Sequence, residues 1–407
     1  MSVNPIILSI PVFFILIAIE VIYDRLRHKN LYRLNDALTN ISCGITEQIS
    51  GVFFKVGTVA LYYFIYEHFR WFTLPNNVWW GMVLFLGVDF CYYWAHRLSH
   101  EINLFWAGHV VHHQSEDYNL SVALRQGFMQ KIFTAFIYLP LALFGFQTEL
   151  FLLFSAWNTL YQFWIHTETI GKMGPLEWVL NTPSHHRVHH GREPKYIDKN
   201  HAGVLIIWDR LFGTFQQEEE KPVYGITTPM QSWNPVYAQV QHFGHIWADW
   251  QKVKGWDKLR LLFKKPGWLP AYAGGYRAPQ KVDREQYQKF NVTVPATINW
   301  YVLIQYGIVL VLTSWFLFQF GQLEGWQQAG FAIMITYSVM SIGILLDGKA
   351  IGFALEYARL LLLPALLLLS IPLQGLLWIL IPIGAGSALV WLGWTQHKTV
   401  AWQPPRV

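Results

Sequence analysis

Residues 87–100 read GVDFCYYWAHRLSH, an apolar stretch that runs directly into two histidines. The apolar part belongs to a longer run at 77–95, which has about the length that a helix needs to cross a bilayer. His96 and His100 follow with a spacing of four, so both imidazoles project from one face if the helix continues. The stretch therefore predicts a membrane helix that carries metal ligands at its end.

The composition supports a membrane protein. Of the 407 residues, 53% are hydrophobic and 14% are charged, whereas soluble domains carry about 25% charged residues. Cys43 and Cys91 lie inside apolar runs and offer neither a disulfide framework nor a thiolate metal site. The net charge of +5 comes from basic residues beside apolar segments, as the positive-inside rule describes. We therefore expect no nucleic-acid partner.

Further apolar runs predict an all-α, multi-pass transmembrane helical bundle. The interval 130–165 is apolar over about twice the length of one span, with a turn-like Gly145–Thr148 near its middle, and predicts a helical hairpin that enters and returns. The predicted spans and hairpin are 6–23, 43–66, 77–95, 130–165, 298–320, 329–346, 358–372 and 376–395.

These runs divide the chain into three predicted regions. Residues 1–75 form N-terminal transmembrane helices, residues 76–296 form the catalytic domain and residues 297–407 form C-terminal transmembrane helices. If the basic segment 24–42 faces the cytosol, then Lys349 and Arg359 also fall on the cytosolic side. The histidine-rich cap would then be cytosolic, in a bacterial inner membrane or the endoplasmic reticulum.

Ten of the sixteen histidines are grouped between positions 96 and 190. Three groups have helical spacing, which places several imidazoles on one helix face. His166 stands alone at the returning end of the predicted hairpin. The predicted metal ligands are His96, His100, His109, His112, His113, His166, His185, His186, His189 and His190.

The number of histidines indicates two ions rather than one. Neutral imidazole suits iron, zinc, copper or nickel, and one tetrahedral zinc ion needs about four ligands. Iron is favoured because a redox-inert zinc pair would have no evident purpose at this location. A metal transporter would place ionisable residues at the midplane of several spans, and a structural zinc site would need fewer ligands.

Two carboxylates are predicted catalytic or supporting residues. Glu101 directly follows His100, where it could accept a hydrogen bond from a ligand, bind metal or face solvent. Asp89 lies two helical turns before His96 within the apolar run, where a carboxylate is expensive. For Asp89 we expect either a role beside the ligands or pairing with another buried polar group.

The motifs WAGHVVHH at 106–113 and HHRVHHG at 185–191, which follow the first histidine pair, resemble the boxes of the fatty acid hydroxylase and sterol desaturase superfamily. Within it, FWIHTE at 163–168 and YIDKN at 196–200 are similar to segments of its ether-lipid monooxygenases. His201 departs from the tyrosine expected after this last motif.

The resemblance implies a di-iron site that activates O2, with the ten histidines at the superfamily's ligand positions and Glu101 at a matching acidic position. The substrate would be a glyceryl ether lipid, hydroxylated beside the ether oxygen, and tetrahydrobiopterin would be the reductant. The alternative is a hydroxylase or desaturase of fatty acyl chains, sterols or aminolipids that receives electrons from an external ferredoxin or cytochrome.

Overall fold

The computed structural model describes residues 5–370 and 376–400, and these residues form helices and loops, with two isolated β-bridges and no β-strand. This confirms the all-α prediction. The α-helices are α1 (Pro5–Arg27), α2 (Leu34–Phe69), α3 (Val78–Glu101), α4 (Asn103–His113), α5 (Gln130–Thr134), α6 (Leu139–Phe144), α7 (Thr148–Trp164), α8 (Pro183–His189), α9 (Ile207–Leu211), α10 (Pro235–Trp250), α11 (Asp257–Phe263), α12 (Ala296–Gln319), α13 (Gly325–Leu346), α14 (Ile351–Ser370) and α15 (Leu377–Val400).

Five helices among the described residues are long and apolar enough to cross a membrane, and the bent helix α2 is a sixth candidate. The five lie in α3, α12, α13, α14 and α15, which agrees with the predicted spans. The first predicted span falls within α1. The end of the predicted 358–372 span extends beyond Ser370 and lies outside the described residues.

The predicted hairpin at 130–165 has two limbs of unequal structure. The first limb, Gln130–Phe144, is a shorter apolar helical segment, made of α5, a 3-10 turn and α6. Gly145 ends it with φ of 110°, a conformation that glycine adopts without steric cost. The second limb is α7, with 17 residues. Both limbs are shorter than the roughly 20 residues of a full span.

The chain divides into two compact units. The first runs through Gly44, from Phe53 to Met230 and from Gln239 to Lys289. Its core includes Leu84, Val88 and Leu141, where α3 packs on the hairpin. A second apolar cluster joins α1 to α7 and includes a stacked ring pair, Phe13 and Phe163, with centroids 4.1 Å apart. This unit carries all ten predicted metal ligands.

The second unit comprises Ile45–Val52, Gln231–Ala238 and the chain from Phe290 onward. A buried ion pair lies within its helices, where Arg359 Nη2 is 2.8 Å from Glu356 Oε2. Tyr301 and Ser341 donate to the same carboxylate. Arg359, which we expected on the cytosolic side, is 1% exposed inside α14. It therefore gives no support to the predicted orientation.

Candidate metal centre

Nine histidines form two clusters, and all nine are buried. In each cluster one ring nitrogen per histidine lies within 4.8 Å of the corresponding nitrogen of every other member. Cluster A consists of His96, His100, His109, His113 and His189, and cluster B consists of His112, His166, His186 and His190.

The helical repeat divides the ligands between the clusters. His109 and His113 are four residues apart in α4 and share a face, which points to cluster A. His112 precedes His113 by one residue, a rotation of about 100°, and joins cluster B. Helix α8 and its C-cap repeat the arrangement with the clusters exchanged, since His186 and His190 join cluster B while His189 joins cluster A.

The spacing between ring nitrogens matches that of ligands on shared ions. His96 Nε2 and His113 Nε2 lie 3.0 and 3.1 Å from His109 Nε2, and in cluster B three such pairs lie 3.0 to 3.1 Å apart. With metal–nitrogen bonds of about 2.1 Å, neighbouring octahedral ligands would lie about 3.0 Å apart. Two imidazole nitrogens so close repel each other unless a proton or a cation lies between them.

The rings of cluster A are arranged as five of six octahedral positions. The centroid of His100 lies 4.8 to 5.4 Å from those of the other four rings, whereas His109 and His189 are 6.4 Å apart. For octahedral ligands these separations would be about 4.6 Å for neighbours and 6.5 Å for opposite rings, given bonds of about 2.1 Å. His100 therefore lies next to all four of the other rings and would be the apical ligand of an ion held by them, with a sixth position opposite it.

Cluster B leaves two octahedral positions without a histidine. His112 and His186 are opposite each other, with centroids 6.3 Å apart, while His166 and His190 are adjacent to both. Cluster A contacts cluster B through three of its rings, and His100 is not among them. The contacts are His113 with His190 at 4.4 Å and with His112 at 5.4 Å, His189 with His186 at 5.1 Å and with His190 at 5.3 Å, and His109 with His112 at 5.5 Å. The side of cluster A opposite His100, where a sixth position would lie, thus faces cluster B.

Four ligands are oriented by backbone carbonyls. His96 Nδ1 donates to His201 O at 2.8 Å and His189 Nδ1 to Lys199 O at 2.9 Å. In cluster B, His112 Nδ1 donates to Arg125 O at 2.8 Å and His166 Nδ1 to Gln162 O at 2.6 Å. A proton fixed on Nδ1 leaves the lone pair of Nε2 free for a metal, as in most metal-binding histidines.

Burial keeps these imidazoles neutral. It lowers the pKa of His112 to about 4 and holds the pKa of His109 and His190 well below the usual range, with their histidine neighbours adding to the effect. Neutral imidazole is the form that binds metal. The Nε2 atoms of His100 and His189 are buried without a hydrogen-bond partner, which would be costly in a metal-free interior. The residues of both clusters fit metal ions.

Three predicted site residues, His185, Glu101 and Asp89, lie outside the clusters. His185 packs against the ring of Phe215 at 5.4 Å, and burial lowers its pKa to about 4. Glu101, at the end of α3, accepts a hydrogen bond of 3.2 Å from Arg97. Its side chain keeps 27% exposure, so of the alternatives for Glu101 the structure shows a partly solvated ion pair.

Asp89 is fully buried and faces protein donors. Its carboxylate accepts hydrogen bonds from the backbone nitrogens of Val204 and Leu205 at 2.8 and 3.0 Å. Asn158 and Trp208 donate to it at 2.7 and 2.9 Å. Asp89 therefore ties α3 to α7 and to the chain that follows His201. This is the pairing with buried polar groups that the sequence argument offered as one alternative.

Sequence reasoning missed Arg125, which is 2% exposed. Its guanidinium donates to Val111 O at 2.6 Å, to Asn40 at 3.0 Å and to Gln114 at 2.8 Å, while its carbonyl orients His112. It also missed Asp198, whose carboxylate approaches His100. No sequence pattern indicates that the carbonyl of Arg125 contacts His112. Asp198 could have been noticed, because it lies in the YIDKN motif.

Comparison with known proteins identifies one domain and several relatives. The profile of the family described as "Fatty acid hydroxylase" matches residues 81–214. A protein of Xenopus tropicalis called alkylglycerol monooxygenase is 49% identical over 260 residues, which are 63% of this chain and 58% of the relative. Proteins of the same name from Homo sapiens and Danio rerio are 41% and 37% identical, each over 86% of this chain and 79% of the relative. No solved structure matches.

Proposed function

This chain belongs to the alkylglycerol monooxygenase family, and on that premise we propose that it hydroxylates a glyceryl ether lipid at two iron ions held by clusters A and B. The coarser function, a membrane-bound lipid monooxygenase, follows from the relatives and from the fatty acid hydroxylase domain. The observation that carries the proposal is the pair of histidine clusters, with five and four ligands. Because rings of the two clusters contact each other, we infer that both ions would act on one oxygen molecule.

In the proposed reaction, O2 inserts one oxygen atom into a C–H bond of the carbon beside the ether oxygen. The other oxygen atom leaves as water, with two electrons and two protons from tetrahydrobiopterin. The resulting hemiacetal breaks its C–O bond to give an aldehyde and a glycerol derivative. Iron would supply the O2 activation that an unreactive C–H bond requires, and histidine is a common ligand for it.

The protein's own residues would hold and seal this centre. The ligand rings are 1 to 7% exposed, so bulk water is kept from the reacting carbon. Trp106 covers cluster A, 5.0 Å from His100 between ring centroids. Tyr118 lies 5.2 Å from His190 in cluster B and donates to Ile165 O at 3.0 Å. A water-poor site suits oxidation of a lipid chain.

The location of the ligands favours delivery of the lipid from the bilayer. His96 and His100 occupy the last turns of α3, a candidate span. The rest of the ligands follow in α4, after α7 and in α8. A lipid that lies beside α3 could therefore bring its ether group to the clusters while its tail stays in the membrane. We propose that this end of α3 faces the cytosol, where a soluble reductant is available.

A first experiment counts metal. The purified protein, reconstituted anaerobically with Fe²⁺ in nanodiscs, should retain about two iron ions per chain. His112→Ala should lose iron and abolish turnover, whereas His68→Ala, at an exposed histidine outside the clusters, should change neither. One bound zinc ion in place of iron, or full activity of His112→Ala, would contradict the proposal.

A second experiment identifies substrate and reductant. The nanodiscs are supplied with an alkylglycerol, O2 and either tetrahydrobiopterin or a ferredoxin with its reductase, and aldehydes are measured. We expect aldehyde release with the pterin alone. Turnover only with the protein donor, or hydroxylation of fatty acyl, sterol or aminolipid substrates instead, would support the alternative reaction class.

A further inference from the structure

Residues Asp198, Lys199, Asn200 and His201 form a strained loop, here called the 198–201 loop, against cluster A. Asp198 and Asn200 have φ of 57° and 54°, a left-handed conformation that Asp and Asn adopt more readily than most residues. Asn200 is anchored, because it donates to His185 O at 3.0 Å and to Gln216 O at 2.7 Å. The loop is therefore held in one conformation.

This conformation directs two carbonyls of the loop to ligands of the same cluster. Lys199 O accepts from His189 Nδ1 and His201 O accepts from His96 Nδ1. The His201 ring lies beside the same face of cluster A, with centroids 5.0 Å from His100 and 5.6 Å from both His96 and His189. It is fully buried, and neither ring nitrogen makes a hydrogen bond.

His201 is too close to the apical ligand to occupy the sixth position. A ring opposite His100 would have its centroid about 6.5 Å away, given metal–nitrogen bonds of about 2.1 Å, but the separation is 5.0 Å. His201 instead covers the outside of three ligands and excludes water from them. A charge placed beside these ligands acts through a less polar medium than water.

The loop brings such a charge to the apical ligand. Asp198 Oδ1 lies 3.6 Å from His100 Nδ1, and its other oxygen lies 3.6 Å from Lys265 Nζ. The distance to His100 exceeds a normal hydrogen bond by about 0.7 Å, so a small adjustment of the ring would close it. Within the described parts of the chain, the hydrogen bonds and ion pairs of the cluster B rings involve no carboxylate.

We propose that Asp198 is a positioning residue for cluster A, whose carboxylate accepts the Nδ1 proton of His100 and strengthens that imidazole as a ligand. Such a carboxylate–histidine–metal arrangement increases ligand basicity, and its loss typically weakens metal binding 10–100-fold. The two ions would then differ in affinity, with the tighter site in cluster A. This inference rests on the metal centre proposed above.

The test is Asp198→Asn, because asparagine tolerates the same left-handed backbone and removes only the charge. Fe²⁺ binding to the full-length protein in nanodiscs is measured anaerobically by competition with a chelator, so that two binding constants are obtained. We expect Asp198→Asn to weaken one step about 10–100-fold and to leave the other unchanged. In a His96→Ala background, where cluster A is already damaged, it should have no effect.

Matched variants separate this role from a general structural one. Asp257→Asn removes a carboxylate from a surface pair with Arg260 and should change neither binding constant. Asp198→Glu should recover part of the lost affinity. Unchanged constants in Asp198→Asn, or equal weakening of both steps, would overturn the inference while leaving the metal centre intact. Absence of metal from the unaltered protein would overturn both.

Discussion

Removal of Glu356 should destabilise the protein far more than its place in the sequence suggests. Its carboxylate is 0% exposed and pairs with Arg359 three residues later. Tyr301 and Ser341 also donate to it, and Arg359 bonds Gln305 at 2.7 Å. Glu356→Ala would leave a buried guanidinium without its counter-ion, which costs about 3–5 kcal/mol.

The chain contains a matched exposed pair. Glu67 and Arg70 are also three residues apart, at 3.4 Å, with side chains 38% and 32% exposed. Exposed pairs contribute about 0–1 kcal/mol. We therefore expect Glu67→Ala to be nearly neutral, which makes the difference between the two variants a measure of burial rather than of charge pairing as such.

Unfolding in mixed micelles at increasing denaturant measures both variants, and Glu356→Leu, Arg359→Leu and the variant with both leucines form a double-mutant cycle. The double variant should recover most of the loss, since apolar replacement of a buried pair is often neutral or stabilising. Turnover per folded molecule should stay near that of the unaltered protein because these residues belong to the unit without the clusters. A loss below about 1 kcal/mol for Glu356→Ala would refute this reasoning.

Three further predictions concern the unit that holds the clusters. Gly127→Ala should lower both the stability and the iron content of the protein. A Cβ at this position would lie 1.8 Å from Gly108 O and would displace α4. A variant with normal iron content would contradict this prediction. Asp89→Asn should cost about 1.5–3 kcal/mol in denaturant unfolding while two iron ions remain bound, and loss of one ion would instead indicate a direct role. Acid should destabilise the metal-free protein. Burial lowers the pKa of His112 in the folded state to about 4, so below a pH of about 6.5 the unfolded state binds more protons than the folded state. Equal free energies of unfolding at pH 8 and pH 5 would contradict this.

The sequence was sufficient for the helical class and for the grouping of nine histidines because both depend on regular spacing. The apolar runs have the length of helices, and histidines four residues apart share a helix face. The spacing also explains how the ligands divide between the clusters. His112 of cluster B lies one residue before His113 of cluster A, and His189 of cluster A lies one residue before His190 of cluster B. Nothing in that spacing excludes His185, which lies four residues before His189, yet its ring packs against Phe215.

The unforeseen burial of Arg359 and the alternatives left open for Asp89 have one cause. The groups that pair with these charged side chains inside the protein cannot be recognised from the neighbouring sequence. Arg359 pairs within its own helix and with Gln305 of another. Asp89 depends on backbone nitrogens more than 100 residues later. Only the folded chain shows these partners.

The use of backbone carbonyls to orient ligands has a consequence for sequence variation. The peptide carbonyls at Gln162, Arg125 and Lys199 would be present whatever side chain stood there. A point substitution at any of these positions would leave the acceptor in place, but at Arg125 it would also remove the buried guanidinium and its hydrogen bonds. An insertion or deletion of one residue nearby would shift the carbonyl and release the imidazole. The centre should therefore tolerate changes of side chain in these loops better than changes in loop length. Random libraries built around it should keep the loop lengths constant.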